Sequence, residues 1–589
     1  MLSLRSCLHP VLALVSFVWL VPVATAADRV PGDRRLPPQV LGYVSVRNIP
    51  ELKANWKKTA LGQLGQEKEL AEFWQEIEKQ LENVSGKIQS KIGVGLNDIL
   101  ALPQGETAVA FVQLPGKKLS YVGFLDAGEN EQTITKLIAK LTEAAEEHGV
   151  KRSTEEFEGT EVVIHTRPKE DADDTKKDGE PERIAYFLKD GTLVASSDVD
   201  TLKSIITRWD GKHEQTFAET DIYRQLVAAC RDEQNDNPPA VTWFIDPIGL
   251  VRGVLTSDPR ANTPQMTLML TMLPTLGIDK LKAVGGTFDF ATGDYDTISH
   301  TLVFLDSPPT GVINLFQFPA VGHAPPKWVS AQSDAYFGLN WDLGKAINTV
   351  ESLVDMLRGA GTFKKLLDQV ADQEEFGKLH PKRDLLDHLS GRMHIVSDLA
   401  DPKNPESQRI LVAVELKNTA ALKKTLATLS KLEGIPIKVR TFQGEMVIEL
   451  GGGDGEADTK MGFCISREHL MFASNVTLLE QVLRTDNDQD SLANLPAYQR
   501  LEKKFPTESS MISFERENTQ LKAVYELLRS GQATKQFGES EDFALDFSKL
   551  PEFDVIRKYL SPSASYMRPD KLGLLWIGFT LKSETKDDN

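Results

Sequence analysis

The sequence predicts an α+β fold: two tandem homologous copies, each a mainly antiparallel sheet with helices packed on one face. Three observations predict it. A strand, turn, strand and helix pattern, YFLKDGTLVASSDVDTLKSIITRW at 186–209, returns as GFCISREHLMFASNVTLLEQVLRT at 462–485. Short apolar runs sit in pairs around tight turns, which is the pattern of hairpins rather than of parallel crossovers. Between the hairpins lie stretches whose apolar residues recur at three- and four-residue steps, the period of an amphipathic helix.

Size and composition agree with this reading. A chain of 589 residues is too long for one hydrophobic core. With 41% hydrophobic and 26% charged residues it excludes a wholly disordered or collagen-like chain. Lys and Arg number 67 against 85 Asp and Glu, a net charge of -18. Such a field repels phosphate backbones, so no nucleic acid partner is expected.

The elements follow in order. Residues 1–26 read as a signal peptide: Arg5 in a short n-region, the apolar run VLALVSFVWLVPVA, then Ala24-Thr25-Ala26, with cleavage after Ala26. The run is too short for a membrane span and contains Pro22, so no transmembrane anchor is expected after cleavage. Residues 27–35 are expected as a flexible lead-in. Copy one covers 36–307 and opens with the extended LGYVSVRN at 41–48 and a charged helical stretch at 67–84. TAVAFVQL and LSYVGFLDA around Pro115-Gly116 form a hairpin. Ile134, Leu137, Ile138, Leu141, Ala144 and Ala145 mark a helix that Gly149 closes. Strands TEVVIHT, RIAYFLKD and TLVASS follow, then a helix capped by Asp198, and a final hairpin at 282–307.

A connector, 308–325, contains Pro and Gly, but its Leu315, Phe316 and Phe318 predict packing against one or both copies. Copy two covers 326–583 and a polar tail 584–589. Its landmarks keep the order of copy one: Tyr336 for Tyr43, Leu386 for Leu100, Val414 for Phe124, Gly444 for Gly159, Ser474 for Ser197, Tyr498 for Tyr223 and Phe514 for Phe244. Leu422, Leu426, Leu429 and Leu432 repeat the helical stripe, and Asn475 takes the capping place of Asp198.

The chain carries few signs of chemistry. His380, His388 and His394 are the one histidine cluster, at a spacing that suits no metal motif, and the last two read as surface or half-buried. His165, His213, His300 and His469 are isolated. No GxSxG, CxxC or phosphate-cradling glycine motif occurs, and Gly285-Gly286 and Gly451-Gly452-Gly453 read as ordinary turn or bulge glycines. Neither a catalytic residue nor a cofactor is assigned. Cys230 and Cys464 sit among apolar neighbours and read as small buried hydrophobes, with pairing between them left open. Acidic loops recur at 168–183 and 451–460; Asp454, Glu456 and Asp458 are weak Ca²⁺ candidates against the plainer reading of a solvated hairpin loop. Met266, Met269 and Met272, three apart, are candidates for an adaptable apolar ligand groove, with core packing as the alternative.

The segments LPPQVLGYVSVRNIPELKANW, GLNDILALPQGETAVAF and RDLLDHLSGRMHIV, the F-x-G-x-x-V/I strands at 157–163 and 442–448, and LVASS/LMFASN resemble secreted bacterial domain-of-unknown-function proteins built from a duplicated α+β unit. That resemblance implies export and an α+β repeat and supplies no activity. The expectation is an exported, non-catalytic binding or scaffold protein of the bacterial cell envelope, acting on an envelope or extracellular protein or polymer. A carrier of a hydrophobic ligand and a carboxylate-dependent hydrolase are the alternatives; two close acids of perturbed pKa in a concave site would favour the latter.

Overall fold

A computed structural model describes residues 29–92, 94–167, 183–232, 237–257, 263–322, 324–374, 377–401, 404, 407–431, 437–450, 461–484, 490–516, 519–531 and 546–583. These residues form two compact units. The first comprises 29–267 and 282–304 with 546–551; the second comprises 268–281, 305–531 and 552–583. Each is a mixed α+β unit on an antiparallel sheet.

The first unit holds β1 (Val40–Val46), β2 (Thr107–Val112), β3 (Ser120–Asp126), β4 (Lys151–Phe157), β5 (Thr160–Thr166), β6 (Arg183–Lys189), β7 (Thr192–Ser196), β8 (Val241–Ile245), β9 (Leu281–Phe290) and β10 (Tyr295–Leu305). Their order across the sheet is β4-β5-β6-β7-β3-β2-β1-β8-β9-β10. The second unit holds β11 (Ala335–Asn340), β12 (Leu389–Leu399), β13 (Gln408–Leu416), β14 (Ile437–Phe442), β15 (Glu445–Leu450), β16 (Met461–Ser466), β17 (His469–Ala473), β18 (Met511–Glu515), β19 (Ser563–Asp570) and β20 (Gly573–Leu581). They run β14-β15-β16-β17-β13-β12-β11-β18-β19-β20, the same order.

Turn chemistry sets the hairpin registers. Glu158-Gly159 and Gln443-Gly444 both take positive φ, the two-residue turn that matches strand twist, so Phe157 faces Thr160 and Phe442 faces Glu445. Gly286 has a different reason: a Cβ there would lie 1.9 Å from the carbonyl oxygen of His300 on the neighbouring strand.

The helices do not stay on one face, and this corrects the expected layering. In β5 the consecutive Val162 and Val163 are both buried, which an open-faced sheet does not allow. Helix α1 (Glu131–Glu147) packs Ile134 against Leu125, Leu188 and Leu193. Helix α2 (Val199–Thr207) covers the opposite face, where its Thr201 hydroxyl meets that of Ser120 at 3.1 Å and Asp198 caps it through Thr201 N at 2.9 Å. In the second unit α4 (Thr419–Leu429) packs Leu422 and Leu426 on Ile448, Ile465 and Leu470. There α5 (Val476–Arg484) lies over Gly462, whose missing Cβ admits Val476 and Leu479, and Asn475 caps it through Thr477 N at 2.7 Å. Between α2 and α4 in sequence lies α3 (Pro264–Met272), which buries no residue.

One segment differs from expectation, and another packs as expected. Residues 29–36, expected as flexible up to 35, are packed into the first unit, because Gly32, Arg35 and Leu36 are buried and the backbone of Gly32 is bonded to Glu106. The connector belongs to the second unit: Trp341 Nε1 donates to Leu315 O at 2.6 Å, Asp342 N to Gln317 O at 2.9 Å, and Val321 bridges to Ser509.

Candidate functional site

The densest concentration of buried charge lies in the first unit, where residues 29–36 meet the ends of β1, β2, β3 and β7. Glu106 stands one residue before β2. Its carboxylate accepts from Gly32 N at 2.7 Å, Ser45 Oγ at 2.6 Å and Tyr43 OH at 3.1 Å. Burial raises its pKa above the usual glutamate value against the pull of those bonds, and the neighbouring Asp33 adds to the rise. Asp33 is raised by burial too; Tyr223 OH donates to its Oδ2 at 3.1 Å, and its buried Oδ1 has no partner. Burial, reinforced by these carboxylates, pushes the Tyr43 and Tyr223 phenols well above their ordinary range, so both act as hydrogen-bond donors.

The cationic half is made of arginines. Arg29 Nη1 contacts Asp126 Oδ1 at 2.6 Å, and that oxygen also accepts from Gly128 N at 2.9 Å. Arg35 is only 6% exposed and lies 3.7 Å over the ring of Trp209, whose Nε1 donates to Asp190 Oδ2 at 2.7 Å. Burial lowers the pKa of Arg35 although Glu106, Asp126 and Asp190 oppose the shift, and its buried Nε has no hydrogen-bond partner. Arg29, Arg35, Arg47, Asn48, Glu51, Glu106, Asp126 and Thr192 surround a cleft of about 280 Å³.

The corresponding position of the second unit carries different chemistry. Tyr43 faces Phe244 across β1 and β8, and Tyr336 faces Phe514 across β11 and β18. Tyr336 meets Nδ1 of His394 at 2.9 Å. His394 is 2% exposed, which corrects the surface or half-buried reading; Tyr336 and Trp328 enclose it. His469 is not isolated, since its ring lies 5.4 Å from that of His394 and Trp328 packs on both. Burial, then the nearby His469 and Arg392, hold the His394 pKa down to about 3. The hydroxyl of Tyr498, the indole nitrogen of Trp328 and the hydroxyl of Ser491 are buried without partners.

Other sequence-derived candidates are dispersed. His380 Nδ1 accepts from Arg383 N at the start of a short helix and His388 is half-buried, so the three histidines form no common group; no metal-binding set of three or more ligands occurs among the described residues. Asp454, Glu456 and Asp458 lie outside the described residues. Met269 is exposed, Met266 and Met272 half-buried, and none of the three lines the clefts discussed here. A larger cleft, about 610 Å³, lies instead between α1 and the sheet, with mixed walls in which Ile138, Val163 and Leu188 stand beside Glu143, Arg152 and Lys189. Cys230 and Cys464 are buried and do not form a disulfide, and burial pushes the Cys464 thiol up to about 12. No helix among the described residues is long and apolar enough to cross a membrane.

Sequence reasoning missed the cleft because its members come from distant segments, Arg29 and Asp126 or Arg35 and Trp209. The one available signal was Glu106 and Asp126 at the ends of strands expected to be buried. No protein-family model, curated protein or solved structure matches the chain.

Proposed function

We propose that the chain is an exported, non-catalytic binding or scaffold protein of the bacterial cell envelope, built from two copies of one ten-stranded unit. The leader-like residues 1–26 support export. The shared strand order supports duplication, as does the recurrence of the aligned trio Tyr43, Tyr223 and Phe244 as Tyr336, Tyr498 and Phe514. Tyr223 packs on both Tyr43 and Phe244, and Tyr498 on Phe514.

One observation carries binding over catalysis. In the first unit Glu106 and Asp126 are engaged in holding the segment at 29–36, while the buried Arg35 Nε faces no acceptor. The second unit keeps the frame and places His394 beside its tyrosine instead. Fractionation of cells expressing the full chain, with sequencing of the mature N-terminus, tests export: Ala27 is expected first, in the envelope or medium. A cytoplasmic product beginning at Met1 overturns it.

The hydrolase reading is favoured by a separate observation, the raised pKa of both Asp33 and Glu106. It predicts turnover of chromogenic esters or glycosides that Asp33→Asn abolishes without loss of fold. No turnover across such a panel leaves binding as the function.

A further inference from the structure

We propose that the cleft of the first unit receives a small carboxylate ligand, whose oxygens take the terminal Nη edge of the Arg35 guanidinium. The inference rests on the binding reading above and names the ligand class.

Three observations carry it. First, Arg35 is fixed rather than mobile: Trp209 backs it at 3.7 Å, and the Trp209 indole is itself tied to Asp190 at 2.7 Å. Second, the acids around Arg35 have other donors. Asp126 is taken by Arg29 and Gly128, Glu106 by Gly32, Tyr43 and Ser45, and Asp190 by Trp209. None of the three is hydrogen-bonded to Arg35, whose Nε is buried out of reach, so its terminal Nη groups are the donors a ligand in the cleft meets. Third, Arg35 lines a cleft of about 280 Å³, which admits a compact molecule; of the other charged groups in its wall Arg29 is paired with Asp126 and Glu106 is held by its own donors, while Arg47 and Glu51 stand at the same cleft.

A carboxylate matches this receptor better than a spherical anion. Its two coplanar oxygens meet the two terminal Nη groups of a guanidinium in parallel hydrogen bonds, and the aromatic backing keeps that edge oriented. Burial strengthens each bond by lowering the local dielectric.

The test uses the full mature chain, with succinate and acetate as probes and phosphate and chloride as controls at matched ionic strength. Binding is read by thermal stabilisation and calorimetric titration. Saturable binding of succinate or acetate is expected, weakened about tenfold, or about 1.4 kcal/mol, in Arg35→Lys, which keeps the charge and loses the planar edge. Arg47→Gln, on an exposed side chain, serves as the second variant and is expected to weaken succinate more than acetate. A folded chain that shows no saturable carboxylate binding overturns the inference, as does an Arg35→Lys chain that binds like the parent. Equal binding of phosphate and chloride overturns carboxylate recognition. None of these outcomes disturbs export, which the mature N-terminus and fractionation report independently.

Discussion

Replacing His394 by Gln gives a stability effect whose sign reverses with pH. In the folded chain His394 is held neutral, its pKa down from 6.5 to about 3, by burial first and then by His469 and Arg392. The unfolded chain therefore binds a proton more readily than the native one below neutrality. The stability that His394 contributes is complete above pH 6.5 and falls as the pH drops from 6.5 towards 3. At pH 5 the loss is about 1.5 pH units at 1.36 kcal/mol each, or about 2 kcal/mol. His394→Gln removes the titration and disturbs the Tyr336 contact at 2.9 Å, a cost of about 1 kcal/mol at any pH. The variant should be less stable than the parent at pH 8 by about 1 kcal/mol and more stable at pH 5 by about the same margin. Urea unfolding followed by tryptophan fluorescence at both pH values, for parent and variant, measures the difference. Titration of groups elsewhere in the chain is common to parent and variant and cancels in that difference. Parallel curves, with one constant gap from pH 5 to pH 8, would refute the reasoning.

Three further outcomes follow from buried polar groups. Glu106→Ala strips the partner from Gly32 N, Tyr43 and Ser45, and should cost about 3 kcal/mol and expose the chain near Pro31 to limited proteolysis. Tyr498→Phe removes a buried hydroxyl that has no partner and should be neutral or stabilising by up to about 1 kcal/mol, whereas Tyr336→Phe loses its bond to His394 and should cost about 1 kcal/mol; chemical denaturation separates the two. The Cys464 thiol, buried and raised to about 12, should resist iodoacetamide at pH 8 in the native protein and react once urea unfolds it, as followed by mass spectrometry.

Local patterns were legible in the sequence to the extent that they depend on neighbours in the chain. The caps at Asp198 and Asn475 are set by side chains within a few positions and both fall where expected, whereas the stretch 157–163, read as a strand, turns back on itself at Glu158-Gly159. The aligned Tyr43 and Phe244 face each other directly, as do Tyr336 and Phe514, because a pairing register carries every later residue with it. Layering was less legible. Val162-Val163 is a two-residue break in alternation, too short to signal that α1 and α2 occupy opposite faces. The burial of His394 was hidden for a related reason: RMHIV reads as an ordinary half-open strand, and Trp328, Tyr336 and His469, all distant in sequence, close the site. The Met spacing at 266, 269 and 272 misled in the other direction, since a regular stripe on α3 does not guarantee a surface to bury it against, and Leu268 beside it is 61% exposed.

The docking of residues 29–36 bears on how the protein can be dissected. A fragment begun at Leu36, the natural boundary on a reading of the repeat, would discard Arg29 and Gly32 while keeping the carboxylates of Asp126 and Glu106 that receive them, and would take Arg35 off Trp209. It would also lack Phe547 and Lys549, which reach Phe73 and Glu76 of the same unit. The first lobe is thus discontinuous in the gene, and a faithful subclone needs both its leading strap and a late return of the chain, joined by a synthetic bridge.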